Sequence, residues 1–202
     1  IKTESEGSPD SLGNPRTVYS HTTYDLKGQV SKKCIPHFGT ICTTEVTNEY
    51  DPVGRTVKTI SPDDSPYNPT GESITQTVYA MARTTVTDPN GHAKTAVKDA
   101  YGRLSAVEEY SAEPACNPCT TSYGYDARGN LTGVTDAKGN HTTIVYDDLS
   151  RKTAMTDPDM GTWTYGYDAN GNLIVQQDAN GNIMNFVYDS LNRAIRKYSS
   201  DS

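Results

Sequence analysis

The sequence is poor in the residues that build a thick core. Of 202 residues only 2 are Phe and 1 is Trp, and the apolar fraction is 34%. A globular chain usually carries about 45–50%, a range that also counts Gly. No stretch approaches the roughly 20 consecutive apolar residues of a membrane-spanning helix. Basic residues are outnumbered, 18 against 25 acidic, for a net charge of -7. That balance argues against nucleic acid and against an anionic membrane surface as partners. No signal peptide is visible at Ile1, so a secreted form would have lost its signal or carry it outside this chain.

Reactive constellations are equally scarce. The four His (His21, His37, His92, His141) are scattered, and no nucleophile elbow, phosphate-binding loop or HExxH occurs. The Asp residues are spread singly along the chain, which suits backbone capping better than paired acid–base work. The "DANGN" loops lack the ligand order of a calcium-binding loop. The sequence therefore offers no catalytic residue, no cofactor site and no metal site, and it reads as non-enzymatic.

What is abundant is Tyr, 14 residues, together with Thr and Val. These favour strands over helices. Tyr-Asp recurs at Tyr24-Asp25, Tyr50-Asp51, Tyr125-Asp126, Tyr146-Asp147, Tyr167-Asp168 and Tyr188-Asp189, the last four spaced by 21 residues. A second Asp follows ten residues on at Asp136, Asp157 and Asp178. Gly stands three after most of these Asp, at Gly28, Gly54, Gly102, Gly129, Gly139, Gly171 and Gly181, and Asn192 takes its place in the last unit. "KDAYGRL" keeps Asp99 with Lys98 in the Tyr position, and "YAMAR" at Tyr79 lacks the Asp. A fixed period of this size marks a repeat architecture.

Asp-x-x-Gly is a turn. The Asp side chain accepts from an amide two residues on. Gly supplies the positive φ after a type I turn, giving a three-residue hairpin loop with a Gly bulge. Segments of six and seven residues, Asn172–Gln177 and Asn182–Tyr188, separate the turns, which are strand lengths. Each unit is thus one β-hairpin, and about eight of them make an all-β, curved or spiralling antiparallel sheet. Trp163, Tyr165 and Tyr167 fall on one strand face, as do Met184, Phe186 and Tyr188, and Tyr at one phase is expected to stack into a ladder. Residues 1–20, rich in Ser, Gly and Pro, read as a linker or an incomplete repeat. The repeats occupy 21–202.

At these residues the chain resembles the RHS/YD-repeat family, whose signature is roughly Y-D-x-x-G-R-L-x-x-x-T-D-x-x-G. "YDARGNLTGVTDAKGN" (Tyr125–Asn140), "YDPVGRTVKTISPDD" (Tyr50–Asp64) and "YGRLSAVEEY" carry the likeness. The family includes cocoon-forming subunits of bacterial insecticidal toxin complexes, polymorphic toxins, wall-associated proteins and teneurins. The resemblance implies a large, hollow β-sheet shell able to enclose a toxin cargo. Family shells are far longer than eight hairpins, and the region that follows the repeats in toxin members is not found after Tyr188. Three readings follow: a wall segment of a secreted or cell-surface RHS-type shell, a fibre subunit joined as a homopolymer through open β-edges, and an adhesion module binding glycan or protein. The expected partners are other YD repeats of the same or neighbouring chains.

Three insertions, Cys34–Cys42, Ser61–Glu72 and Tyr110–Cys119, fall at the second turn of their units, so they should project from one edge, where binding often resides. A Cys₄ zinc site is disfavoured: three hairpins at about 4.8 Å per strand put roughly 29 Å between the two Cys pairs. Local disulfides, Cys34 with Cys42 and Cys116 with Cys119, are favoured over free thiols, and would place the chain in an oxidising compartment. Asn130 and Asn140 head formal glycosylation sequons.

Overall fold

In the computed structural model, the described residues are 2–7, 16–38, 42, 44–63, 71–110 and 116–200. They form strands and turns, with no helix long and apolar enough to cross a membrane. The chain divides into two units, Ile1–Thr95 and Ala96–Ser202. Residues 39–41, 43, 64–70 and 111–115, at the insertions read from the sequence, lie outside the described residues. So do 8–15 of the N-terminal segment.

The first unit holds β1 (Lys2–Gly7), β2 (Arg16–Tyr24), β3 (Val30–Cys34), β4 (His37–Phe38), β5 (Glu45–Tyr50), β6 (Thr56–Pro62), β7 (Glu72–Ala80) and β8 (Arg83–Thr87). Each strand except β4 pairs antiparallel with the next, so β3 meets β5, while the two-residue β4 sits against β2 at Val18 and Tyr19. The division between units falls inside β9 (Ala93–Lys98). The second unit continues with β10 (Leu104–Tyr110), β11 (Cys119–Tyr125), β12 (Leu131–Thr135), β13 (His141–Tyr146), β14 (Lys152–Asp157), β15 (Gly161–Tyr167), β16 (Leu173–Gln177), β17 (Ile183–Tyr188) and β18 (Ala194–Ser200). From β10 onward every strand pairs antiparallel with its successor. The tandem-hairpin architecture expected from the 21-residue period is the observed one.

Apolar supply limits the thickness of this fold. Among the described residues only Cys34, Thr95 and Gly133 are buried, and the other strand positions are half-buried or exposed. Alternation holds along β15, whereas in β17 Ile183 and Asn185 are as covered as Met184 and Phe186. Trp163, Tyr165 and Tyr167 are partly covered, while Thr162 and Thr164 of the same strand are exposed. Cohesion therefore rests on strand pairing and side-chain hydrogen bonds.

The turns come in two kinds, set apart by whether Tyr precedes the Asp. At the Tyr-Asp turns the register slips by one residue opposite the Tyr: Tyr125 pairs with Leu131 but Gly124 with Gly133, leaving Thr132 over. The same slip leaves over Ser31, Val57, Thr153, Ile174 and Ile195. The Asp136 and Asp178 turns between them keep an unbroken register. A bulge bends its strand and sharpens the local right-handed twist, so twist enters this sheet at one kind of turn.

Three non-Gly residues adopt left-handed backbone: Met81 (φ 50), Ser150 (φ 60) and Asn192 (φ 59). Ser150 and Asn192 occupy the Gly position of their turns. Met81 is the first residue of the two-residue β7–β8 loop, as in a type II′ turn, where Gly is preferred. Its side chain projects fully into solvent. Met81→Gly is therefore expected to stabilise the first unit by about 1 kcal/mol, read as a rise in urea midpoint. An unchanged or lowered midpoint would refute this reading of the turn.

Candidate functional site

The Tyr-Asp turns of each unit carry a dense set of polar contacts. Asp147 shows how one turn is built. Its amide donates to the Arg151 carbonyl, and the Ser150 amide donates back to its carbonyl, both at 3.0 Å. Oδ1 accepts the amides of Leu149 and Arg151 at 2.9 Å. Oδ2 accepts Arg151 Nε at 2.7 Å. One carboxylate thus fixes the whole loop. Asp51, Asp99 and Asp189 repeat the arrangement with Arg55, Arg103 and Arg193. Asp126, Asp136, Asp168 and Asp178 use Asn130, Asn140, Asn172 and Asn182. At Asp25, Oδ1 accepts the amides of Lys27 and Gln29. The positive-φ Gly of these turns are Gly28, Gly54, Gly102, Gly129, Gly139, Gly171 and Gly181.

The residue four after the Asp then reaches the next Tyr-Asp turn. In the second unit Arg103 Nη1 donates to the Asp126 carbonyl (3.3 Å) and Asn130 Nδ2 to Ser150 Oγ (3.1 Å). Arg151 Nη1 donates to the Asp168 carbonyl (3.1 Å) and Asn172 Nδ2 to Asn192 Oδ1 (2.9 Å). In the first unit Gln29 Nε2 reaches the Gly54 carbonyl at 2.8 Å. The Tyr runs the other way. Tyr50, Tyr125, Tyr167 and Tyr188 donate their hydroxyls to the carbonyls of Val30, Leu104, Lys152 and Leu173, each the first residue of the strand leaving the preceding turn, at 2.8–3.0 Å. Arg103 lies over the Tyr125 ring at 4.6 Å, and Arg151 over Tyr167 at 4.9 Å. Tyr79 of the degenerate unit plays the same part, with Arg55 over its ring at 4.2 Å and its hydroxyl on the Thr56 carbonyl. Tyr79, Tyr125 and Tyr167 are thus held between an Arg and a backbone carbonyl. Sequence reasoning missed the role of Arg or Asn at the fifth turn position. The available signal was the recurring Gly-Arg and Gly-Asn pair.

Electrostatics follow from this geometry. The Arg151 amide, opposed by desolvation and joined by the guanidinium, holds the Asp147 carboxyl below its ordinary value. The Asn130 side-chain amide does the same for Asp126, as does Asn172 for Asp168. Desolvation pushes the Tyr167 phenol up. A carboxyl depressed in the folded state contributes stability above its unfolded value, about 3.9 for Asp, and loses it as pH falls through the folded values. The thermal midpoint by circular dichroism should stay flat from about pH 8 to 5 and fall below about pH 4. A midpoint held down to about pH 2 would contradict a load on these turns.

The remaining candidates are placed as follows. Cys34 is bonded to Cys42 and Cys116 to Cys119, with Cα separations of 6.0 and 4.9 Å. Asn130 spends its amide on Asp126 and Ser150, and Asn140 spends part of its amide on Asp136. A glycan on Asn130 would displace one of those bonds. His92 sits on Asp88 in its own turn, and His141 bonds Thr135 across its hairpin.

The RHS Repeat family matches residues 120–141, 125–162 and 146–183. These are RHS repeats. Their matched segments cover the hairpins β11 to β16, where the turn-to-turn bonding is most regular. The same architecture occurs in the crystal structure of TcdB2-TccC3-Cdc42, at 18% identity and a TM-score of 0.71 over 98% of this chain. It occurs in TcdB2-TccC3-TEV with a TM-score of 0.74, again at 18% identity over 98% of the chain. A Photorhabdus luminescens Tc holotoxin pore shares it over 93% of the chain, at 18% identity with a TM-score of 0.71. The chain spans only 12%, 12% and 10% of those three chains respectively. No curated protein matches the sequence. The fold shared with these structures extends beyond the hairpins that the family match covers.

Proposed function

We propose that this chain is a non-enzymatic wall segment of an RHS-type shell belonging to a secreted bacterial toxin or cell-surface protein. About eight hairpins fill residues 21–202, and residues 1–20 are an incomplete preceding repeat. One observation carries the reading. In the second unit the turns at Asp126, Asp147, Asp168 and Asp189 each take a bond from the turn before, through Arg or Asn, and Tyr125, Tyr167 and Tyr188 reach back. A module finished by its neighbours can be repeated to any length, as a wall requires. The two local disulfides favour an oxidising compartment. The partners of such a wall are further YD repeats, with a toxin cargo or a surface glycan on its faces.

Negative-stain electron microscopy of the material from its native source tests this. Closed hollow particles much larger than the 22.0 kDa of this chain are expected. Long threads with one repeating contact would replace the shell by a fibre. Isolated monomers that bind glycan would make the inserted loops an adhesion surface.

A further inference from the structure

The Cys34–Cys42 insertion brings together more than two sulfurs. Thr22 of β2 pairs with Lys33 of β3, so the next positions outward are His21 and Cys34. A His21 ring nitrogen and the sulfurs of Cys34 and Cys42 all lie within 4.8 Å of one another. His37, on β4 beside β2, places Nδ1 at 3.3 Å from Cys34 Sγ and 3.0 Å from the Ile35 carbonyl. Its other nitrogen, Nε2, is buried and has no hydrogen-bond partner among the described residues.

We propose that this insertion is a thiol-gated zinc site. In the oxidised chain Cys34 and Cys42 form the disulfide. In the reduced chain both thiolates and His21 bind Zn²⁺, and a water completes the tetrahedron. Two Cys and one His with an open fourth position is an established zinc donor set. Two thiolates cancel the charge of the ion, so a neutral group fills the space around the fully buried Cys34. Glu45, at 3.4 Å from His21 Nε2, is placed to hold that ring.

The exchange balances with a dithiol as reductant. Its thiolate attacks one sulfur to give a mixed disulfide, and its second thiol closes to a cyclic disulfide. The two cysteine sulfurs gain two electrons and two protons. Zn²⁺ then releases those two protons to solvent as the thiolates bind.

The test uses the full chain with Cys116→Ser and Cys119→Ser, so that only this pair can contribute sulfur. After reduction by a phosphine, Co²⁺ titration should give thiolate charge-transfer and tetrahedral ligand-field bands saturating at one ion per chain. Zn²⁺ should displace the cobalt. The oxidised protein should give no such bands. His21→Ala should weaken Zn²⁺ binding by more than about tenfold, with the strand circular-dichroism signal retained. His21→Ala is the decisive variant, because this partly exposed ring can be removed without touching the buried sulfur. Absence of cobalt bands in the reduced protein, or an affinity unmoved by His21→Ala, overturns the site.

Discussion

Replacing Tyr167 by Ala lowers the stability of the second unit by about 3 kcal/mol, the scale of truncating a core aromatic. The ring is held from two sides, by Arg151 above it and by the hydroxyl on the Lys152 carbonyl. Removing it leaves the guanidinium over empty space and a strand-start carbonyl without its donor. Tyr167→Phe separates the two contributions. It keeps the ring beneath Arg151 and loses one hydrogen bond, about 1 kcal/mol. Urea unfolding followed by circular dichroism reads both. A Tyr167→Ala change below about 0.5 kcal/mol, the scale of an ordinary surface substitution, would mean the Tyr is decorative and strand pairing alone holds the repeats.

Opening the Cys34–Cys42 bond, with a chelator present, costs the first unit about 2–3 kcal/mol. The chain-entropy estimate for a loop of this length sets that scale, and the sequence separation is 8 residues. The Cys116–Cys119 bond closes a separation of only 3 residues, so losing it should cost less. The paired variants Cys34→Ala with Cys42→Ala, and Cys116→Ala with Cys119→Ala, compare the two in denaturant melts. A larger loss from the second pair would reverse the ordering expected from loop length. Zinc added to the reduced, chelator-free protein should restore part of what the first bond supplied.

The 21-residue period and the Asp-x-x-Gly turns were legible because each is local. A carboxylate and a positive-φ residue a few positions apart decide the loop before any tertiary contact forms. The degenerate unit at Tyr79 was harder. It lacks the Asp, and what preserves it is Arg55 from the preceding turn, a contact that no pattern within the unit records. Ser150 was missed for a related reason, since Ser is an uncommon left-handed residue. There it sits in reach of Asn130 from one repeat earlier. The bulges fall at the Tyr-Asp turns, but the extra residue itself, Ser31, Val57, Thr132, Thr153, Ile174 or Ile195, carries no common side-chain type that would announce it. His21 and His37 looked scattered along the chain. Only the β2–β3 register and the short β4 put them beside Cys34.

The two rims of the ribbon tolerate change unequally. Along the Tyr-Asp rim each loop is bonded to its neighbours before and after, so a lengthened loop would break several partners at once. On the opposite rim the Asp136 and Asp178 turns are closed mainly by their own residues, and the chain's own insertions sit on turns of that kind. One rim is a rail that sets spacing, and the other is a display margin. Foreign peptides grafted after Asp136 or Asp178 should ride on this scaffold in a regular row, about two strands or roughly 10 Å per repeat apart.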